Sequence, residues 1–129
     1  MRLIISMNRI NINQCEQFAT KDTSLIREIL APRNSEVARQ SLAEAVVPPG
    51  CRTLAHYHPL TEEIYYILSG EGLMALEADS MVVVPGDAVG ILPRQRHQIE
   101  NTGEAPLVFL CCCVPAYEHE DTVECASLL

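Results

Sequence analysis

The stretch that decides the fold covers residues 50–70 and has the sequence GCRTLAHYHPLTEEIYYILSG. A glycine stands at each end, and much of the interior is Ile, Leu and Tyr, which is typical of β-strands. Successive side chains of a strand point to opposite faces, so His56 and His58 share one face, about 6.6 Å apart. Residues 59–62 begin with proline and are expected to form a turn, so Glu63 starts the returning strand. The sequence therefore predicts a β-hairpin with two histidines on one strand and an acid on the next.

Three side chains of this hairpin can converge on one ion. Cross-strand neighbours lie about 5 Å apart, so Glu63 can join His56 and His58 from the adjacent strand. The fourth candidate is His97, which begins a later strand behind the turn-forming residues 93–96. Three imidazoles and one carboxylate suit a divalent transition metal such as Mn, Fe, Ni or Zn better than Ca or Mg. On a six-coordinate ion these ligands leave about two positions for water, O₂ or a chelating substrate.

Turn-forming residues recur at short intervals along the chain, and the runs between them are rich in Val, Ile, Leu and Tyr. This spacing predicts an all-β sandwich or barrel. The expected strands are 41–47, 51–58, 63–69, 72–78, 81–84, 88–92, 97–101 and 107–114. Residues 24–30 are expected to form either a helical turn or an outer strand, and the acidic tail 116–129 is expected to lie on the surface. Several strands are apolar on both faces, which favours a homodimer.

Length and charge limit the possible functions. The chain has 129 residues, enough for one domain, which we expect to cover residues 1–129. The net charge is −8 and no run of Lys or Arg occurs, so neither nucleic acid nor a membrane is an expected partner. No apolar run approaches the roughly 20 residues of a membrane span. Residues 1–12 lack the features of a signal peptide, so we expect a cytoplasmic protein that starts at Met1 or Met7.

The chain has six cysteines but no CxxC pair, so a thiolate zinc site is poorly supported. In a reducing compartment these thiols are expected to be free. Three of them are consecutive, at residues 111–113, and we expect them to be small apolar residues of a buried strand. Whether Cys51 or residues 111–113 reach a cavity as reactive thiols is left open by the sequence.

Two motifs link these residues to a known family. The first is Gly50-x5-His56-x-His58-x4-Glu63-x6-Gly70, and the second consists of Gly86-Asp87, Pro93 and His97-x3-Asn101. Over about residues 38–115, the chain resembles the cupin superfamily, specifically the small single-domain cupins of the mannose-6-phosphate isomerase-like group. The first motif carries most of the resemblance because six positions fall at fixed spacings.

The resemblance implies a double-stranded β-helix, the cupin jelly-roll barrel, often as a homodimer with a metal inside the barrel. The implied metal ligands are His56, His58, Glu63 and His97. The second motif departs from the family pattern, because Leu92 stands where a proline is usual and Arg94 where a glycine is usual. Since every ligand is retained, this departure bears on the turn beside His97 and on substrate choice.

Other polar residues have two interpretations each. Glu62 is the rival of Glu63 as a ligand, although the alternation places it on the outer face. Tyr65 shares the inner face with Glu63 and could act in acid–base catalysis or simply fill the barrel. Arg52 and Gln98 are candidates for substrate binding. An inward Arg52 would bind a substrate carboxylate through both arms of its guanidinium, whereas a bend in the chain before it would turn it outward.

These features predict a metal-dependent enzyme that acts on a small polar molecule. The substrate would chelate the ion through adjacent oxygens, as a sugar derivative or a hydroxy or keto acid does. Isomerase or lyase chemistry and O₂-dependent dioxygenase chemistry both fit such a site. The alternative is a non-catalytic module that binds a metal or a small ligand, because a fold alone does not determine a reaction.

Overall fold

The computed structural model describes residues 7–129, which form two antiparallel β-sheets and two short 3₁₀ helices. The strands are β1 (Phe18–Ala19), β2 (Leu25–Leu30), β3 (Ser41–Val47), β4 (His56–Tyr57), β5 (Glu62–Ser69), β6 (Gly72–Leu76), β7 (Asp79–Val83), β8 (Ala88–Ile91), β9 (His97–Asn101), β10 (Leu107–Val114) and β11 (Val123–Glu124). The 3₁₀ helices are Ile12–Gln14 and His119–Asp121. Within residues 7–129, no helix has the length and apolar character that a membrane crossing needs. The possible start at Met1 lies outside the described residues.

One sheet has six strands in the order β1-β2-β3-β10-β5-β8, and the other has five in the order β11-β4-β9-β6-β7. The expectation of an all-β fold is therefore confirmed. Apolar side chains of both sheets form one buried core: Ala45, Val47, Tyr65, Ile67, Met74, Val83, Ile91, Ile99, Leu107, Phe109 and Cys111. Tyr65, Phe109 and Cys111 also line an interior cavity, so the candidate site borders this core.

The alternation in β5 decides which of its side chains face the interior. Glu63, Tyr65 and Ile67 are buried, whereas Ile64 and Tyr66 on the opposite face are exposed. A strand in an antiparallel sheet shows this period when one face is covered and the other is not. The β-hairpin predicted from residues 50–70 is wrong, because β4 pairs with β9 and β11 whereas β5 pairs with β10 and β8 in the other sheet. The alternation in β5 still places Glu63 inside the barrel and leaves an apolar row outside.

The strand expected over residues 51–58 is much shorter in the structure. Only His56–Tyr57 forms a ladder, and Arg52 makes an isolated bridge with Glu100. Between them, the amide of Thr53 donates to the carbonyl of Ile99, and the amide of Leu54 donates to the carbonyl of Asp22. The chain therefore changes hydrogen-bond partners within three residues, which an apolar pattern does not reveal. The prediction of a continuous strand here is wrong.

Two further segments are settled by the structure. Residues 25–30 form strand β2, paired with β3, so the outer-strand alternative for this segment is correct. The prediction that the whole tail lies on the surface is wrong, because Val123–Glu124 pairs with β4 and Thr122 is buried. The tail is held by backbone pairing with β4 and by the carboxylate of Asp121, which accepts from the amides of Leu60 and Thr61.

All six cysteines are described and carry free thiols. Cys111 and Cys113 are buried and line the interior cavity, whereas Cys112 is half-buried on the other face of β10. Cys51 is exposed at a turn. Burial and the nearby Glu63 carboxylate raise the pKa of both Cys111 and Cys113, so these two thiols remain protonated near neutral pH.

Candidate metal centre

Three histidines meet inside the barrel at one end of the five-stranded sheet. His56 in β4 pairs directly with His97 at the start of β9, and His58 follows β4 by one residue. Their rings lie close together, with centroids 4.2 Å apart for His56 and His97 and 5.0 Å apart for His56 and His58. One ring nitrogen from each of the three lies within 4.8 Å of those of the other two. All three side chains are buried, so this is an interior cluster.

The backbone fixes the orientation of each ring. The Nδ1 atoms lie 2.9 Å from the carbonyl oxygen of Leu54 for His56, 3.0 Å from that of Asp121 for His58, and 2.9 Å from that of Gln95 for His97. A carbonyl oxygen only accepts, so Nδ1 carries the proton and donates it. In a neutral ring the lone pair is then on Nε2, which is the arrangement by which histidines bind metals.

Glu63 reaches the same point from the six-stranded sheet. Its Oε1 atom lies 3.4 Å from Nε2 of His58 and 3.5 Å from Nε2 of His97. The other oxygen, Oε2, accepts from the thiol of Cys113 at 3.2 Å. Oε1 of Glu63 and Nε2 of His97 are buried and have no hydrogen-bond partner among the described residues. Two unpartnered buried acceptors this close together are costly, and a cation between them would satisfy both, so the residues fit a metal ion.

Burial and neighbouring charges set the protonation of the cluster. Burial, followed by the proximity of His97, lowers the pKa of His56 to about 4, so this ring is neutral near pH 7. For Glu63, burial acts to raise the pKa, but the nearby imidazoles of His58 and His97 outweigh burial and hold the pKa below its ordinary value. The same pairing overcomes burial at His58 and raises its pKa above 6.5.

A cavity of about 50 Å³ lies beside the cluster. Since one water needs about 10–15 Å³ measured in this way, the cavity holds roughly four waters or a ligand with a similar number of heavy atoms. Its wall combines apolar side chains, such as Ile26 and Phe109, with the carboxylates of Asp22, Glu28 and Glu63. Among the described residues that line it, none is lysine or arginine.

Tyr65 is also in the cavity wall. Its ring centroid lies 5.9 Å from that of His97 and 4.5 Å from that of Phe109. Burial, together with the charge of Glu63, raises the pKa of Tyr65 well above 10, so its hydroxyl stays protonated and can donate a hydrogen bond.

The structure brings together four of the predicted ligands and Tyr65, but it places the other candidates elsewhere. Glu62 is exposed on the outer face of β5. Arg52 is exposed, and its guanidinium donates to the carbonyl of Leu129 at 3.3 Å. The amide oxygen of Gln98 accepts from the backbone amide of Leu128 at 2.8 Å. Arg52 and Gln98 therefore contact the tail, and neither is among the described residues that line the cavity.

The sequence analysis missed Asp22. This carboxylate lies in the turn between β1 and β2, lines the cavity, and has its Oδ2 atom 3.7 Å from Nε2 of His56. The only sequence signal is the polar group Thr20, Asp22 and Ser24, which by itself indicates a turn.

The fold and site define a class of small antiparallel β-barrels with an interior histidine cluster that could hold a metal. Residues 43–113, more than half of the chain, match the family described as the Cupin domain. The chain therefore belongs to the cupin family, and its two sheets are those of the double-stranded β-helix that the sequence motifs implied.

Several known proteins are similar to this chain. An uncharacterised protein of Methanocaldococcus jannaschii is 50% identical over 110 residues, which cover 85% of this chain and 88% of that protein. An oxalate-binding protein of Thermotoga maritima is 36% identical over 72 residues, which cover 56% of this chain and 60% of that protein. The structure of an oxalate decarboxylase from Bacillus subtilis superposes with a TM-score of 0.74 at 25% identity, over 88% of this chain and 30% of the decarboxylase.

Proposed function

We propose that this cupin is a metal-dependent enzyme that acts on a small oxygen-rich substrate at the His56, His58, Glu63 and His97 site. The observation that carries the proposal is the pair of buried, unpartnered acceptors, Oε1 of Glu63 and Nε2 of His97, beside a cavity. A purely structural cluster would satisfy these atoms with hydrogen bonds, as nearly all buried polar groups are. An arrangement of acceptors without donors is what a cation site requires.

The four residues would hold the ion, and the ion when bound would supply Lewis-acid polarisation of substrate oxygens. The chain contributes the orientation of its ligands, since each Nδ1 is held by a backbone carbonyl. Tyr65 would donate a hydrogen bond from its protonated hydroxyl to a substrate oxygen. Apolar side chains such as Phe109 in the cavity wall lower the local polarity, which strengthens each of these electrostatic interactions.

The cavity limits the substrate class. Its volume suits a molecule of few heavy atoms, which favours a small hydroxy or keto acid over a sugar derivative. The absence of lysine and arginine among its described lining residues disfavours a sugar phosphate or other multiply charged anion. We infer isomerase or lyase chemistry, in which a proton moves on a carbon next to a polarised oxygen. Dioxygenase chemistry is the other reaction class that the same ligands would serve.

A homodimer is part of the proposal. On the outer face of β5, Ile64, Tyr66 and Leu68 are 47%, 42% and 43% exposed and form a contiguous apolar row. On the neighbouring strand β10, Val114 is exposed at the corresponding edge. A contiguous apolar surface of this kind is typical of an interface. The second copy would cover the outer side of the six-stranded sheet and leave the cavity lining to one chain.

The second candidate function is a non-catalytic module that binds a small ligand through the metal. The similarity to a protein named for oxalate binding favours it. In this chain, however, an oxalate dianion would find no cationic side chain in the described cavity wall. The ion would have to provide the entire attraction.

The test begins with elemental analysis of protein purified without chelators or an affinity tag. About one transition metal per chain supports the site, and no metal before or after reconstitution refutes it. Loaded protein is then incubated in D₂O with small hydroxy and keto acids while NMR follows deuterium incorporation at carbon. Incorporation that is lost in His97→Ala and kept in Glu62→Gln supports proton-transfer chemistry. Substrate-dependent O₂ uptake without exchange indicates a dioxygenase instead, and ligand binding without either activity indicates the binding module.

A further inference from the structure

The turn between β1 and β2 carries a second carboxylate to the histidine cluster. Asp22 lies in this turn, with its side chain only 10% exposed. The turn is held in place because the carbonyl of Asp22 accepts from the amide of Leu54 at 2.8 Å, two residues before His56. This contact ties the turn to the strand that carries the histidine.

The two oxygens of Asp22 have different environments. Oδ1 accepts three hydrogen bonds, from the hydroxyl of Thr20 at 2.7 Å, the amide of Ser24 at 2.9 Å and the hydroxyl of Ser24 at 2.6 Å. Oδ2 lies 3.7 Å from Nε2 of His56. Because Nδ1 of His56 donates to the carbonyl of Leu54, its Nε2 is an acceptor as well. Two acceptors therefore face each other with no donor between them.

A carboxylate oxygen beside a histidine Nε2 atom is also found at Glu63. Oε1 of Glu63 lies within 3.5 Å of Nε2 on both His58 and His97, and Oδ2 of Asp22 lies beside the third ring, His56. Two atoms that are each about 2.1 Å from one ion are roughly 3.0–3.4 Å apart at octahedral or tetrahedral angles. The 3.7 Å between Oδ2 of Asp22 and Nε2 of His56 exceeds this range by a few tenths of an ångström.

We propose that Asp22 is a fifth protein ligand of the metal ion, bound through Oδ2. The inference rests on the proposed metal site and deepens it. Two carboxylates balance the charge of a divalent cation, and five protein ligands leave a six-coordinate ion one exchangeable position. Oδ1, saturated by the turn, holds the carboxylate in the required orientation.

Asp22→Asn separates this role from a structural one. The asparagine keeps an Oδ1 acceptor for Thr20 and Ser24, so the turn is retained. It replaces Oδ2 with an amide that can donate to Nε2 of His56, so the metal-free variant is expected to melt within about two degrees of wild type or above it. The matched control is Glu28→Gln, which removes another cavity carboxylate, one paired with Arg33 at 2.6 Å.

The experiment titrates metal-free wild-type, Asp22→Asn and Glu28→Gln proteins with Co²⁺ and Zn²⁺ in competition with a chromophoric chelator. We expect Asp22→Asn to bind both ions at least 10-fold more weakly and to change the visible absorption spectrum of bound Co²⁺. Glu28→Gln is expected to match wild type in both measurements. Unchanged affinity of Asp22→Asn, or weaker binding with an unchanged Co²⁺ spectrum, overturns Asp22 as a ligand while leaving the four-ligand site intact. Failure of the wild-type protein to bind either ion refutes the proposed site itself.

Discussion

Replacing Glu63 with glutamine tests the site most directly, because it removes one negative charge and keeps the shape of the side chain. The carboxylate is buried, and its Oε1 atom lies between Nε2 of His58 and Nε2 of His97. An amide oxygen is a much weaker ligand for a divalent cation than a carboxylate oxygen. We therefore expect Glu63→Gln to reduce the metal-induced thermal stabilisation while metal-free protein still folds.

The expected loss of thermal stabilisation follows from the loss of metal affinity, because metal binding and folding are linked equilibria. Loss of an outer partner of a metal ligand lowers affinity about 10- to 100-fold, so loss of a direct charged ligand belongs at or above the upper value. At saturating metal, a 100-fold weaker Kd removes about 2.7 kcal/mol of stabilisation. For a chain of this length, 1 kcal/mol corresponds to about 4 °C in Tm, so the metal-induced shift falls by about 10 °C.

Differential scanning calorimetry with and without one fixed concentration of Zn²⁺ measures this shift for each variant against its own metal-free form. Effects of the substitution on the metal-free fold then cancel. Glu62→Gln is the matched control, since it makes the same chemical change one residue away on the exposed face of β5. A full metal-induced shift in Glu63→Gln, or a reduced shift in Glu62→Gln, would refute the assignment of Glu63.

Three further outcomes are expected. His58→Ala lowers both the metal content, measured by elemental analysis, and the Tm, since the bound ion stabilises the folded state. Normal metal content in this variant would contradict the set of four ligands. Iodoacetamide at pH 8 labels the exposed Cys51 within minutes and leaves Cys111 and Cys113 unlabelled in mass spectra. Burial shields these two thiols and raises their pKa. Rapid labelling of either buried thiol would show that the barrel opens. Tyr66→Glu places a charge on the apolar outer face and converts a dimer to monomer in sedimentation velocity; a wild-type monomer refutes the dimer.

Much of the fold could be predicted because Pro and Gly residues delimit short runs of strand-forming residues. Ser41–Val47, His97–Asn101 and Leu107–Val114 have the bounds expected from sequence, and the two faces of β5 are occupied as the alternation indicates. The short β4 could not be predicted in this way. Its neighbours take their hydrogen-bond partners from three different parts of the chain, and such long-range contacts leave no local periodicity.

The position of the tail, residues 116–129, could not be predicted from its composition either. Its composition indicated a solvated segment, but β11 pairs with β4, and the amide oxygen of Gln98 accepts from the backbone amide of Leu128. Backbone pairing can be made by residues of any type, so composition gives no sign of it. Gln98 follows a predicted ligand, and its amide oxygen accepts from the backbone amide of Leu128 in the tail.

The ligand cluster itself combines local and distant causes. His56 and His97 are oriented by carbonyls two residues before them in the chain, so the motif spacing suffices for both. His58 is oriented by the carbonyl of Asp121, and Asp22 approaches from the turn before β2, both outside the matched residues 43–113. The ammonium group of Lys21 donates to the carbonyl of Thr122 at 2.8 Å and ties these two outer segments together. The motif therefore determines which atoms meet, whereas the segments on either side of it determine how rigidly they are held.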